Sequence, residues 1–262
     1  MLIFAGITTH TPLLLPQIAR DKADIVDGSK QALVELSEDL YASHPDMLIL
    51  VSPYNGVFAD AFAANAHDKL SADLSEFGDL STQKEWHGAP VFAANAALQA
   101  RERKIPLRLL SEDRIDYGNS VPLLYLTEQM PDLKILPIGP SMLDRAMHFK
   151  LGEMIADLAH ESQRRIAIVV AGHLSHCLTT ASPEGYNPLG GEFDQALITA
   201  LEGRNTSALL NLDEHMRSEA RESIYHSLLL LLGAIKGHPY DFKTYCYEKP
   251  LGVGYLTGNF NI

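Results

Sequence analysis

The sequence predicts an α/β protein with a mixed, largely parallel central sheet flanked by helices, within one domain over 1–262. Three observations carry that expectation. Short apolar runs recur at 2–6, 47–51, 107–110, 135–138 and 166–171, and they are continuously apolar rather than alternating, as in strands covered on both faces. Helical stripes lie between them, and strand and helix therefore alternate. No linker, internal repeat or low-complexity tract divides the chain. Taken in order, the first strand at 2–6 is followed by Val26, Leu33, Leu36 and Leu40, spaced as one buried helix face. After the strands at 47–51, 107–110 and 135–138 comes a second stripe, Leu143, Met147, Leu151, Ile155 and Leu158. Beyond the strand at 166–171 a third helix is expected from near Asp213 through the leucine cluster to Gly233, with 253–256 as a closing strand. The stretch 67–90 has no clear period and reads as a long loop walling a site; 179–191, rich in Pro and Gly, reads as a second rim before a helix near Glu192.

Composition narrows the function. Lys and Arg number 21 against 33 for Asp and Glu, a formal charge of −12 that repels nucleic acid and anionic membrane surfaces. The apolar run 228–235 is far shorter than the roughly 20 residues that span a bilayer. No basic leader precedes His10, so the expected compartment is the cytoplasm. Two cysteines, Cys177 and Cys246, cannot build a thiolate zinc site, whereas 11 histidines and many carboxylates are present. A metal here would be held by nitrogen and oxygen.

Three polar clusters each follow an expected strand: Thr8-Thr9-His10-Thr11-Pro12, Ser52-Pro53-Tyr54-Asn55-Gly56 and Gly172-His173-Leu174-Ser175-His176. In open α/β sheets, ligands bind in the crevice at the carboxyl ends of the strands. A nucleophilic hydrolase finds no support, because Ser175 lacks the glycine-flanked elbow, and Cys177 reads as a small buried residue. No phosphate-cradling or dinucleotide fingerprint follows any expected strand. His44, His67, His148, His160, His215 and His238 belong to no motif and read as surface residues.

The ordered set of motifs resembles the class III extradiol ring-cleavage dioxygenase family, LigB-like, with its Memo-like relatives. It runs from Gly6-Ile-Thr-Thr-His10-Thr-Pro through Pro45-Asp-Met-Leu-Ile-Leu-Val-Ser-Pro-Tyr54 and Gly78-Asp-Leu-Ser to Asp116-Tyr-Gly-Asn119. It continues through Ala171-Gly-His-Leu-Ser-His176, Gly185-Tyr-Asn-Pro-Leu-Gly-Gly-Glu-Phe-Asp194 and Glu219-Ala-Arg-Glu222 to Gly252-Val-Gly-Tyr-Leu256.

The resemblance implies two histidines and a glutamate on Fe(II), with open positions for a catechol and for O2. It puts the first ligand at His10, the carboxylate at Glu222 and the acid/base histidine at His176. The second metal histidine of the family falls on Tyr54. Tyr117 stands where many relatives read Asp-His-Gly, and His173 where Memo-like relatives carry an acid. The third ligand is then Tyr54 as phenolate, or His173 or His87; one histidine lost and one gained in a single pocket suggests a relocated ligand. His173, Tyr117 and Asn119 are expected to contact substrate. The expected activity is a metal-dependent extradiol-type dioxygenase acting on a small aromatic diol with O2, using Fe(II) or another divalent metal. The alternative is a Memo-like protein that keeps the pocket but binds a small ligand or partner without ring cleavage. The family also implies a homodimer.

Overall fold

The computed structural model describes residues 1–54 and 56–262, so Asn55 of the second polar cluster lies outside the described residues. The elements run β1 (Leu2–Thr8), α1 (Pro16–Ala19), α2 (Asp27–Ala42), β2 (Met47–Val51), β3 (Phe62–Asn65), β4 (Lys69–Ala72), β5 (Glu85–Gly88) and α3 (Pro90–Glu102). Next come β6 (Leu107–Leu110), β7 (Arg114–Ile115), α4 (Tyr117–Leu126), β8 (Lys134–Gly139), α5 (Arg145–Glu161) and β9 (Ile166–Ala171). The chain ends with α6 (Pro188–Glu202), α7 (Thr206–Leu210), α8 (Glu214–Ala220), α9 (Tyr225–Ala234), β10 (Asp241–Glu248) and β11 (Tyr255–Asn261).

Among the described residues eleven strands form one sheet, with the path β10-β11-β1-β9-β2-β8-β5-β4-β7; β3 pairs with β6 and β8. β1, β9, β2 and β8 run parallel side by side, and β11 and β10 close one edge antiparallel. These four central strands are buried on both faces. Ile49, Val51, Ile168 and Val170 point into a core shared with Leu151 and Ile155 of α5 and Leu228 and Leu231 of α9. The intervening Leu48, Leu50, Ala167 and Val169 point to the other side, against Leu33, Leu36 and Leu40 of α2. The period-2 reversal of side chains along each strand explains why these runs are apolar throughout.

α5 and α9 approach so closely that glycine is required at their crossing. A Cβ on Gly152 would lie 2.0 Å from the Leu230 carbonyl oxygen, and one on Gly233 would lie 2.1 Å from that of Phe149. α9 therefore lies tight against α5, its first turn beside the carboxyl edge of the sheet.

Three expectations need correction. The stretch 67–90 is not a free loop: β4 and β5 pair as an antiparallel ribbon in the sheet, and Trp86 is buried with its indole N–H donating to Thr127 Oγ1 at 2.7 Å. Its ladder is only three residue pairs long, too short to give a readable period. The helix expected from Asp213 to Gly233 is broken into α8 and α9, with Arg221 in the left-handed region (φ 54°). The break has a local cause, since Ser223 leaves the helical path to bond with the His173 backbone in both directions, at 3.0 Å each way. Finally, His148 is not a surface residue but is fully buried.

Candidate functional site

β1, β9 and β2 are neighbours and parallel, so the three polar clusters emerge together at one carboxyl edge. His10 follows β1 and is fully buried. The His173 ring lies on it face to face, centroids 4.0 Å apart and planes 11° apart. Tyr54, after β2, meets His10 edge-on at 5.1 Å and Tyr117 at 4.7 Å. Tyr117, in the first turn of α4, lies 5.9 Å from His10. This close approach of Tyr54 needs Gly118, where a Cβ would lie 2.6 Å from the Tyr54 ring. Phe77 from the 67–90 stretch stands edge-on to Tyr117 at 5.0 Å, so that stretch does wall the site. Tyr255 of β11 covers His173 from the far side at 4.7 Å.

The loop that carries His173 and His176 is fixed by its backbone. Leu174 N–H donates to Gly254 O, Gly254 N–H to Ser175 O, and His176 N–H to Ala220 O, at 2.8–2.9 Å. Asp194, buried in α6, accepts the Ser175 amide at 2.8 Å and the Tyr247 hydroxyl at 2.7 Å.

Hydrogen bonding sets the imidazole tautomers. His176 Nδ1 lies 2.6 Å from the Arg221 carbonyl oxygen, which can only accept, so Nδ1 carries the proton and Nε2 keeps a lone pair. That Nε2 faces His173 Nδ1 at 3.4 Å, which assigns the His173 proton to Nδ1 and leaves its Nε2 a free acceptor. His173 Nε2 is buried without a partner, as are both nitrogens of His10 and Asn119 Oδ1. Burial, then the nearby His176, holds the His10 pKa down to about 3; burial followed by its two histidine neighbours pushes His173 well below the usual range. Both rings are neutral at physiological pH. Burial, reinforced by Tyr54, raises the Tyr117 phenol far above its ordinary value, so it stays protonated.

Asp116, the N-cap of α4, accepts the backbone and side-chain N–H groups of Asn119 at 3.2 Å, and burial raises it to about 6. Glu222 is committed elsewhere. Its Oε2 accepts the Tyr225 amide at 2.8 Å, capping α9, and its Oε1 accepts Arg217 Nε at 3.2 Å. Burial raises the Glu222 pKa against the opposing pull of those donors.

Does this donor set fit one metal ion? The unpartnered nitrogens of His10 and His173 ask for an occupant. However, a metal sits about 2.1 Å from an imidazole nitrogen and near the ring plane. Two rings stacked 4.0 Å apart and nearly parallel cannot both meet that condition for a single ion. Among the described residues no three His, Cys, Asp or Glu side chains converge as a metal site. His87 is exposed on β5 and takes no part in the cluster. The residues as placed therefore do not fit a facial triad.

The structure brings together His10, Tyr54, Tyr117, His173 and His176, and it sets Glu222 on a different set of partners. His226, which no motif marked, stacks on His148 at 4.5 Å and 16°. The leucine run around it hid it, and only its place in the first turn of α9 signals proximity to the edge.

A sequence profile described as the catalytic LigB subunit of aromatic ring-opening dioxygenase matches residues 5–256. The chain belongs to the LigB family. A Clostridium acetobutylicum protein whose name states no activity is 24% identical over 255 residues, covering 94% of this chain. The chain spans only 54% of that relative's length. A Xanthobacter autotrophicus protein named 2,3-dihydroxyphenylpropionate/2,3-dihydroxicinnamic acid 1,2-dioxygenase is 24% identical over 229 residues, 83% of this chain and 68% of that one. The fold is also that of a crystal structure of an uncharacterized Escherichia coli protein, with a TM-score of 0.71, 20% identity, and coverage of 98% of this chain and 99% of that one. Among the described residues no helix of this LigB-family chain is long and apolar enough to cross a membrane.

Proposed function

We propose that this LigB-family chain binds a small phenolic ligand of the catechol type in the imidazole-tyrosine crevice, without opening its ring on a two-histidine, one-carboxylate centre. The observation that carries the reading is the set of buried, partnerless imidazole nitrogens, the acceptor Nε2 of His173 and the two nitrogens of His10, one a donor and one an acceptor, beside the flat faces of Tyr54 and Tyr117. Phenolic hydroxyls would donate to the acceptor nitrogens and a phenolic oxygen would accept from the His10 N–H, and an aromatic ring would take the tilted or edge-on packing that the tyrosines already adopt with each other. The name of the Xanthobacter relative, a dioxygenase of dihydroxylated aromatic acids, supports the ligand class.

Basicity favours binding over proton abstraction. A phenol ionises near pH 10, and an imidazole that burial holds far below its ordinary value is a poor base for that proton but still a hydrogen-bond acceptor. His176, closer to solvent, is lowered too, chiefly by burial. A second reading, the extradiol-type dioxygenase with Fe(II) or another divalent metal on His10, Glu222 and a third ligand, is favoured by the same partnerless nitrogens together with the family. It requires His173 to leave its stack and Glu222 to leave Arg217.

The test is calorimetric titration of the metal-free protein with catechol, repeated on Tyr117→Ala. Binding that weakens about fivefold in the variant, the loss of one aromatic contact worth about 1 kcal/mol, supports the reading. Heat that appears only after metal loading supports the second.

A further inference from the structure

The imidazole nitrogens that would meet a ligand are sealed from water. His10 is fully buried and His173 is 9% exposed; Thr9 and Asn119, which add two more partnerless oxygens at the same sheet edge, are fully buried as well. Tyr54 is the exception. It is 44% exposed, the most exposed ring of the cluster, yet its edge meets His10.

The other rings are braced. Tyr117 rises from the first turn of α4 with Phe77 edge-on to it, and Tyr255 is buried in β11. The loop of Phe77 is itself tied down, because Asp79 accepts the Ser81 amide at 2.9 Å and Gln17 Nε2 at 3.1 Å. Tyr54 instead rests on bare backbone. A Cβ on Gly118 would lie 2.6 Å from the Tyr54 ring, 3.1 Å from its Cβ and 2.7 Å from Ser52 Oγ, so glycine is what makes the seat. Beside that seat, at the carboxyl ends of β2 and β8, opens a cavity of about 1040 Å3. Pro53 and Val57 line it after β2, and Pro140, Met142 and Ala146 line it after β8. It is a size that accommodates small organic groups, a phenol ring among them.

We propose that Tyr54 is a gate: its ring rotates about the Cα–Cβ bond from the glycine seat into the cavity beside Pro53 and Val57, and in that position the nitrogens of His10 and His173 become reachable. Such a rotation moves a partly solvated side chain between staggered wells and needs no break in the sheet. Only lateral aromatic contacts oppose it, to His10 at 5.1 Å and to Tyr117 at 4.7 Å, so the open form is a minor population that an incoming ligand selects. The competing entrance, past Phe77 and Tyr117, would have to undo the Asp79 bonds. For its ligand the proposal rests on the phenol-binding reading, but the gate itself is tested without one.

Diethyl pyrocarbonate acylates neutral imidazoles, and the test scores each histidine of the intact protein by peptide mass spectrometry at neutral pH. Two histidines calibrate it: His226 lines the cavity, and His148 is fully buried with both ring nitrogens bonded. In the wild type His226 is expected to react promptly, His148 not at all, and His10 and His173 about tenfold more slowly than His226. Gly118→Ala, which dislodges the ring without altering it, and Tyr54→Ala should each speed His10 and His173 about tenfold and leave His226 unchanged. Ala146→Trp, which fills the cavity, should slow them about threefold below the wild type, and Phe77→Ala should leave them near it. His148 must stay unreactive throughout, because its labelling would report unfolding. The gate is overturned if His10 and His173 already react as fast as His226 in the wild type, if both Gly118→Ala and Tyr54→Ala leave them slow, or if Phe77→Ala opens them. Unchanged rates in Ala146→Trp overturn the swing into the cavity. Saturating catechol is expected to protect His10 and His173. If the labelling follows the gate while catechol neither protects nor gives heat, the gate stands and the phenol-binding reading falls; if catechol binds but labelling ignores Tyr54, the reading stands and the gate falls.

Discussion

His173 lies flat on His10, with 4.0 Å between ring centroids and 11° between their planes. The stack packs two neutral imidazoles face to face but leaves three of their nitrogens unpartnered, with the ring planes nearly parallel. Undoing it should recover metal binding. Tyr54→His combined with His173→Asp removes the stack and supplies a histidine and an acid at the edge of β2 and β9. The double variant is expected to bind a divalent cation at least tenfold more tightly than the wild type in competition with a chromogenic chelator, and equal affinities would show that the stack is not what limits coordination.

Glu222 and Arg217 form a buried pair, with side chains 8% and 12% exposed. Glu222→Ala leaves a guanidinium uncompensated and strips the cap from α9. Loss of about 3 kcal/mol in urea unfolding is expected. If Glu222 served only as a metal ligand, metal-free stability would be unchanged.

Acid should destabilise the fold. His10 and His226 sit at about 3, and His148, His173 and His176 are also lowered, in each case mainly by burial. A histidine with a depressed folded pKa binds its proton more weakly than the unfolded chain does, so stability is lost as pH falls from about 6.5 toward 3. Asp116, Asp194 and Glu222 act in the opposite sense. Burial raises all three, the two aspartates to about 6, so the stability they confer is lost as pH rises through their raised pKa values. Five imidazoles outweigh three carboxyls, and urea midpoints are expected to fall steadily from pH 7 to pH 4. The slope should flatten in His226→Phe. A midpoint that climbs on acidification would mean that the carboxyls dominate.

Asp194 fastens the histidine loop to α6 and β10. Asp194→Ala deprives the Ser175 amide and the Tyr247 hydroxyl of their acceptor, and a loss of about 2 kcal/mol is expected. Hydrogen exchange at Ser175 should accelerate more than exchange in β9, since the damage is local.

Much of the fold was legible because its central strands are continuously apolar: the runs at 47–51 and 166–171 coincide with β2 and β9, and 135–138 lies within β8. The short strands β3, β4, β5 and β7 were not legible, because two to four residues give no period, and their pairing is decided by neighbours distant in sequence. The site clusters were readable from their place after strands. The stack of His173 on His10 was not, since it depends on the β1–β9 pairing and on Tyr255 pressing from β11. The role of Glu222 was hidden for a similar reason. Its carboxylate is drawn to Arg217 by the break between α8 and α9, and that break arises from Ser223 bonding across to His173.

The most direct test is anaerobic Fe(II) loading of the intact protein, elemental analysis after desalting, and exposure to air with a panel of catechols while the yellow ring-opened product is monitored. Substoichiometric iron and no yellow product, alongside measurable catechol binding, is the predicted result. One iron per chain with ring-opened product would contradict it.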